Sequence, residues 1–308
     1  MEFEHVPVML QQCLDGLAIR PDGVYVDGTA GGAGHSREIA SRLTTGRLLA
    51  LDKDPDALEI ASQRLAPYPC AKVIQTDFAD LPAVLDREGI EQVNGILLDL
   101  GVSSRQLDTP ERGFSYSVDA PLDMRMSQSG LSAEDVVNTW PPDELLRILR
   151  EYGEERFAPR IVRAITEARA KAPLRTTGEL VDLIYAAVPA AARAEGGHPA
   201  KRTFQAIRIA VNGELDSLSR CLDTAFDRLC TGGRFVILTF QSLEDRIVKQ
   251  SFAGYCRGCI CPPDFPVCVC GRKPRAVLVN RKPITADQEE LARNRRSKSA
   301  KLRILEKL

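Results

Sequence analysis

Four glycines fall within the string VDGTAGGAGHS, Val26 to Ser36, directly after a short apolar run. Glycine lets a backbone turn sharply and come close to a ligand, so the question is which ligand. A dinucleotide loop needs glycine at relative positions 1, 3 and 6. Starting from Gly28 the register meets Ala30 and Ala33, from Gly31 it meets Ala33, and from Gly32 it meets Gly34 and then Arg37. No Lys-Ser or Lys-Thr pair follows the glycines, so a nucleoside triphosphate loop fails as well. The acids point elsewhere. Asp27, Asp52, Asp77 (in TDF, Thr76 to Phe78) and Asp99 each close an apolar, strand-like run. A single acid at a strand end reads as a solvated cap. Four of them around one bare loop suit a cationic ligand, and S-adenosylmethionine carries a sulfonium and an amino group. Asp52 would accept from the ribose hydroxyls, the acid of TDF would meet the adenine amine with Phe78 against the ring, and Asp99 would sit beside the chemistry.

Two other groupings could do chemistry. Five of the nine cysteines lie in CRGCICPPDFPVCVC, Cys256 to Cys270, with the spacing C-x2-C-x-C-x6-C-x-C. Thiols this dense either bind a structural zinc or form a reduced loop; the spacing is not a paired C-x2-C knuckle. Nine is odd, and no basic n-region with an apolar core opens the chain, which argues against a disulfide framework. The second grouping is basic. HPAKRTFQAIRIAVN carries His198, Lys201, Arg202 and Arg208 around Phe204, and RNRRSKSAKLR lies near the C-terminus. Both suit phosphate contact, or they are solvated helix faces, with Phe204 in a core stripe. Lys plus Arg (41) nearly cancel Asp plus Glu (42), so any affinity for nucleic acid must come from such patches.

The elements that would position these residues alternate. GVYVDGT, GRLLALDKD, AKVIQTDF and VNGILLDLGVSS predict strands, separated by helices over HSREIASRL, PDALEIASQRL and LPAVLDREGI. This order predicts a doubly wound parallel sheet. From Arg105 to Asn212 no strand is expected; SAEDVVNTWPPDELLRILREYG, RFAPRIVRAITEARAK and TTGELVDLIYAAVPAA predict helices. The rhythm returns with ELDSLSRCLDTAFDRL, GGRFVILTF, SLEDRIVKQSF and final strands over RAVLVN and SAKLRILEK. The expected architecture is an α/β, Rossmann-like domain built from residues 1–104 and 214–308, interrupted by an all-helical insertion, 105–213, for RNA recognition. No apolar run reaches the roughly twenty residues of a membrane span, so a cytoplasmic protein is expected.

The chain resembles the MraW family of bacterial methyltransferases, which modify the N4 amine of a cytidine in 16S ribosomal RNA. The resemblance runs nearly end to end through HVPVML, YVDGTAGGAGHS, LLALDKDPDAL, GILLDLGVSSRQLDTPERGFSY, APLDMRM, YGEERFAPRIVRAI, HPAKRTFQAIRIAVNGEL and SLEDRIVK. It implies a Rossmann-like methyltransferase domain with a helical insertion and S-adenosylmethionine as cofactor. It implies cofactor contacts from Ala33, Gly34 and His35, from Asp52 at the ribose, Phe78 near the adenine, and Asp99 and Gln106 near the methionine end. It implies the small ribosomal subunit's 16S rRNA as partner and leaves room for a homodimer. Arg112, Asp123 and Arg125 would stand near the mouth of the site, as a structural ion pair or against substrate. The RNA contacts expected are Arg112, Arg125, His198, Lys201 and Arg202. Three positions depart from the family pattern: Ala33 where a glycine is common, Gln241 where His is expected, and Arg295 where Pro is usual.

Methyl transfer from a sulfonium is an in-line displacement whose leaving group is already activated, so no catalytic metal is expected and alignment is the main task. Asp99 is the expected catalytic residue, accepting an N–H bond from the exocyclic amine. The Asn/Asp-Pro-Pro-aromatic tetrapeptide of aminomethylases is absent. The target base would have to leave its stack or be unpaired already. The rival readings are a dinucleotide oxidoreductase, which the glycine register disfavours, a non-enzymatic assembly factor, which the intact cofactor residues disfavour, and a small-molecule methyltransferase, which leaves the basic segments unexplained.

Overall fold

The computed structural model describes residues 7–194, 197–261, 267 and 269–308. His5 and Val6 of HVPVML, and Cys268 of the cysteine cluster, lie outside the described residues. The chain divides into two compact units, one of Met1–Gly101 with Leu215–Leu308, the other Val102–Glu214.

The first unit holds a seven-stranded sheet: β1 Val24–Asp27, β2 Arg47–Asp52, β3 Ala71–Gln75, β4 Val93–Asp99, β5 Leu229–Thr239, β6 Ala276–Leu278 and β7 Lys301–Lys307. Their order is β3-β2-β1-β4-β5-β7-β6. β1 to β5 are mutually parallel and β7 runs antiparallel to both its neighbours. The apolar run of β4 follows from its central place. Ile96 and Leu98 face one core cluster with Leu81, Leu222 and Phe252, while Leu97 faces the opposite one with Leu48, Ala50 and Val236. A strand covered on both faces has no polar side. The strand order reverses between β1 and β4, which makes the carboxyl ends of these two strands the switch point where open α/β sheets bind ligands. Asp27 ends β1 and Asp99 ends β4.

The second unit is helical, with an isolated bridge between Pro121 and Thr176 as its β pairing among the described residues. Its core joins Val136, Leu145, Ile148, Ile161, Ile165, Leu180, Ile184, Phe204 and Ile207. One expected helix divides. SAEDVVNTWPPDELLRILREYG forms Ala133–Thr139 and Pro142–Glu151, because Pro141 disfavours helical backbone at Trp140, which is extended (ψ 144). Phe204 is buried, so of its two readings the core one is correct. No helix among the described residues is long and apolar enough to cross a membrane.

Candidate functional site

The glycine loop ties three strand ends together. The Gly28 N–H donates to the Leu97 carbonyl at 2.9 Å, and the Ala30 N–H to that of Leu51 at 2.8 Å. Gly28 must be glycine for packing: a Cβ there would lie 2.4 Å from Leu98 Cδ2 and 3.0 Å from Phe78 Cβ. Asp27 is buried and takes the Thr29 N–H (3.1 Å) and the Ser36 hydroxyl (2.6 Å). Asp52 takes the Gly31 N–H at 2.8 Å and the Asp54 N–H at 2.9 Å. The Asp99 N–H donates to the Thr29 hydroxyl at 2.6 Å. The loop then enters the helix Gly34–Ala40 through Ala33, whose φ of 57° is left-handed.

The chain's N-terminal segment packs onto this loop. A Cβ on Gly34 would lie 2.3 Å from Pro7 Cγ. His35 is buried; its Nε2 lies 3.1 Å from the Val8 carbonyl oxygen and its Nδ1 3.7 Å from Asp99 Oδ2. A carbonyl can only accept, so Nε2 carries a proton and Nδ1 faces the carboxyl.

Several carboxyls gather here. Burial, then the charges of Asp27 and Glu244, push Asp99 up to about 8. Burial raises Asp27 to about 6 against the hydrogen bonds from Ser36 and Thr29, and burial also raises Asp52. Glu244 is buried at the start of the helix Ser242–Cys256, accepting from the Phe240 N–H (2.8 Å), the Gln241 N–H (3.2 Å) and the Gln241 side-chain amide (3.1 Å). Carboxyls raised in this way are stabilised in their charged form by a nearby cation. The donor set therefore fits a ligand with a sulfonium and an ammonium, and does not fit phosphates.

Of the sequence-derived cofactor residues, Ala33, Gly34, His35, Asp52, Phe78 and Asp99 share the first unit, and the loop brings Asp52 and Asp99 to its two sides. Gln106 belongs to the second unit. It is buried in a capping box, its Oε1 accepting from the Ser103 N–H at 2.9 Å and its own N–H donating to the Ser103 hydroxyl at 3.2 Å. Asp77 serves the fold: it takes the Ala79 N–H (2.9 Å), Lys53 Nζ (3.2 Å) and the Ser217 hydroxyl (3.0 Å). Thr29, Ser36, Glu244 and the Val8 carbonyl are the contributors that sequence reasoning missed. For Glu244 a signal existed, since Gln241 and Glu244 have capping-box spacing.

Within the second unit the basic residues separate into two kinds. Arg125 grips Asp123 with Nε and Nη2 (3.1 and 2.6 Å), and Arg112 holds the carbonyls of Arg125 and Met126 at 2.9 and 3.0 Å. Arg125 and Asp123 thus form an ion pair, while Arg112 binds backbone. Arg208 is likewise engaged, bidentate on Glu214 at 2.8 and 2.9 Å. Lys201 and Arg202 are exposed at the start of the helix Lys201–Asn212, Arg202 donating to the Glu154 carbonyl at 3.1 Å. His198, also exposed, stacks on Tyr116 (centroids 4.5 Å, 14° between planes), and Tyr116 meets Phe204 edge-on at 5.8 Å. In the first unit, Lys301 and Arg303 of the C-terminal basic run pair with Asp245 at 3.2 and 2.7 Å, while Arg295, Arg296 and Lys298 are exposed.

The profile of the MraW methylase family matches residues 2–308. A protein named ribosomal RNA small subunit methyltransferase H from Heliobacterium modesticaldum is 53% identical, with 100% of each chain covered. One of the same name from Acetivibrio thermocellus is 55% identical, again with 100% of each covered. Another from Symbiobacterium thermophilum is 53% identical over 100% of this chain and 98% of its own.

Proposed function

Since the chain belongs to the MraW methylase family, we propose that it transfers a methyl group from S-adenosylmethionine to the N4 amine of a cytidine in the 16S rRNA of the small ribosomal subunit. The observation that carries this reading is the cluster of strand-end carboxyls Asp27, Asp52 and Asp99 around a glycine loop whose register is wrong for phosphates, with the Glu244 charge acting on Asp99. S-adenosylmethionine, when bound, supplies a methyl group already activated on a sulfonium.

The chain's own residues have three tasks. Gly31, whose φ of 49° is left-handed, lets the backbone turn closely around the ligand, with Asp52 fixed beside it for the ribose and Phe78 for the adenine, while Gly28 and Gly34 make room for Leu98 and Pro7. Asp99 balances positive charge when ionised and accepts the N–H of the attacking amine. The carboxylate, ionised once the cation is bound, also takes the proton that the amine loses. His35, fixed by the Val8 carbonyl, positions the Asp99 carboxyl. Gln106 joins the methionine end on the strength of family membership. Lys201 and Arg202 contact RNA phosphates, and the exposed His198 ring offers a stacking face.

The test is transfer of labelled methyl to small subunits that lack the modification, followed by nucleoside analysis, with Asp99→Asn in parallel. The expected result is labelled N4-methylcytidine with the native chain and a loss of at least about a hundredfold in the variant. Label in another nucleoside, or equal rates for the two proteins, would overturn the assignment.

A further inference from the structure

We propose that Cys259, Cys261 and Cys270 form a structural zinc site that staples the loop between the helix Ser242–Cys256 and β6. The methyltransferase reading makes no use of these thiols. Their three sulfurs lie within 4.8 Å of one another. Cys270 Sγ stands 3.7 Å from Cys259 Sγ, and four sulfurs at zinc–thiolate distance define a tetrahedron with edges of roughly 3.8 Å. A disulfide would need about 2.05 Å, and none of the three is joined in a disulfide.

Backbone donors surround the cluster as they do bound thiolates. The Ile260 N–H points at Cys270 Sγ (3.5 Å) and the Cys261 N–H at Cys259 Sγ (3.4 Å).

The surroundings give the loop a need for a cross-link. The base of the loop is closed by the Arg275 N–H on the Tyr255 carbonyl (2.9 Å) and by Arg272 on that of Gly254 (3.2 Å). Beyond this stem, none of the described residues from Arg257 to Arg275 is buried, and Ile260, Val267 and Val269 are exposed. Where the described residues bury so little, a metal adds order, since its binding energy becomes folding energy. Thiolate ligands select a soft cation, zinc over the hard divalent ions. Binding displaces three S–H protons to solvent, and a further protein donor closes the fourth vertex, as a structural site requires. Cys256 is set apart: it packs against the core at the helix end, where burial pushes its thiol up.

The full chain, purified under reducing conditions without chelator, should carry about one zinc per molecule by elemental analysis. Cobalt added to the stripped protein should give thiolate-to-metal charge-transfer absorption that zinc abolishes. Cys259→Ser with Cys270→Ser should bring zinc to the level of a buffer control, while Cys256→Ser keeps it. Should the double variant fail to fold, the native chain still decides. Zinc should protect Cys259, Cys261 and Cys270 from alkylation in a peptide map. Zinc at background in the native chain, a disulfide among these residues, iron or copper in place of zinc, or zinc that survives the double substitution would overturn the proposal. None of these readouts depends on methyl transfer, so the site stands or falls apart from the enzymatic reading.

Discussion

Asp99 is the residue on which most of the chemistry turns, and its burial has a measurable price in stability. A carboxyl raised to about 8 keeps a proton in the folded protein that the unfolded chain has lost above its ordinary value of 3.8. Between about pH 4 and pH 8 the folded state therefore binds more protons, and stability falls as pH rises through that window. Asp99→Asn removes this fall. We expect the variant to be more stable at pH 7 by on the order of 1–3 kcal/mol, seen as a raised Tm, while its activity is lost. A Tm equal to or below the native value would contradict the assignment of strain to this carboxyl. Glycine 34 gives a second test. With a Cβ 2.3 Å from Pro7 Cγ, Gly34→Ala must push the N-terminal segment off the loop and break the His35–Val8 bond. Overpacking of this kind destabilises by about 1–3 kcal/mol, and cofactor affinity should fall with it in a titration; unchanged affinity would separate that segment from the site. Ala33 shows the opposite balance. Its left-handed backbone costs about 1–2 kcal/mol, partly offset by the roughly 0.8 kcal/mol of a buried methyl group, so alanine is tolerated where glycine is usual.

At the scale of elements, the strand ends and the loop were legible in the sequence because their signals are local. An apolar run that stops at an acid, and a cluster of glycines after a strand, need no knowledge of the rest of the chain. Glu244 was not legible as a member of the same cluster. It comes from a helix far along the chain, and only the sheet order, with β4 beside β5, brings it near Asp99. The same holds for Arg208, whose pairing with Glu214 depends on the turn at Gly213 (φ 59°). Arg112 and Arg125 were equally ambiguous, since a basic residue in a loop looks the same whether it faces RNA or backbone carbonyls. Gln241, read as a gap in a family pattern, proves to be the residue before a helix, with its amide on Glu244. Because the Glu244 charge helps raise Asp99, Glu244→Gln should shift the pH midpoint of cofactor binding downward while keeping an acceptor at the helix start. An unmoved midpoint would show that the two carboxyls are not coupled.

At the scale of the whole molecule, a chain with 41 basic and 42 acidic side chains attracts RNA through patches rather than net charge. Several of the basic residues near the sequence motifs are engaged within the protein: Arg303 with Asp245, Arg125 with Asp123, and Arg208 with Glu214. Lys201 and Arg202 remain exposed in the helical unit. If each meets one phosphate of an unpaired strand, replacing both with Ala should lower the slope of log K against log salt by about 1.4. Affinity should fall without a change in which nucleotide is modified, because phosphate contacts position and do not specify. A slope that does not move would remove this helix from the RNA interface. The division into a sheet unit and a helical unit places the acids of the cofactor cluster in the former and these two cations in the latter.

The most direct measurement is the affinity of S-adenosylmethionine from pH 6.0 to 7.5, for the native chain and Asp99→Asn, over a range where the ligand's amino group stays largely protonated. The cation binds the ionised carboxyl, which below about 8 is the minor form. Native affinity should therefore climb with pH by up to about tenfold per unit, with a proton released on binding. The Asn variant should bind more weakly and with a shallower slope. Native binding that ignores pH, or a variant that follows the native curve, would contradict the claim that the strand-end carboxyls hold the cofactor.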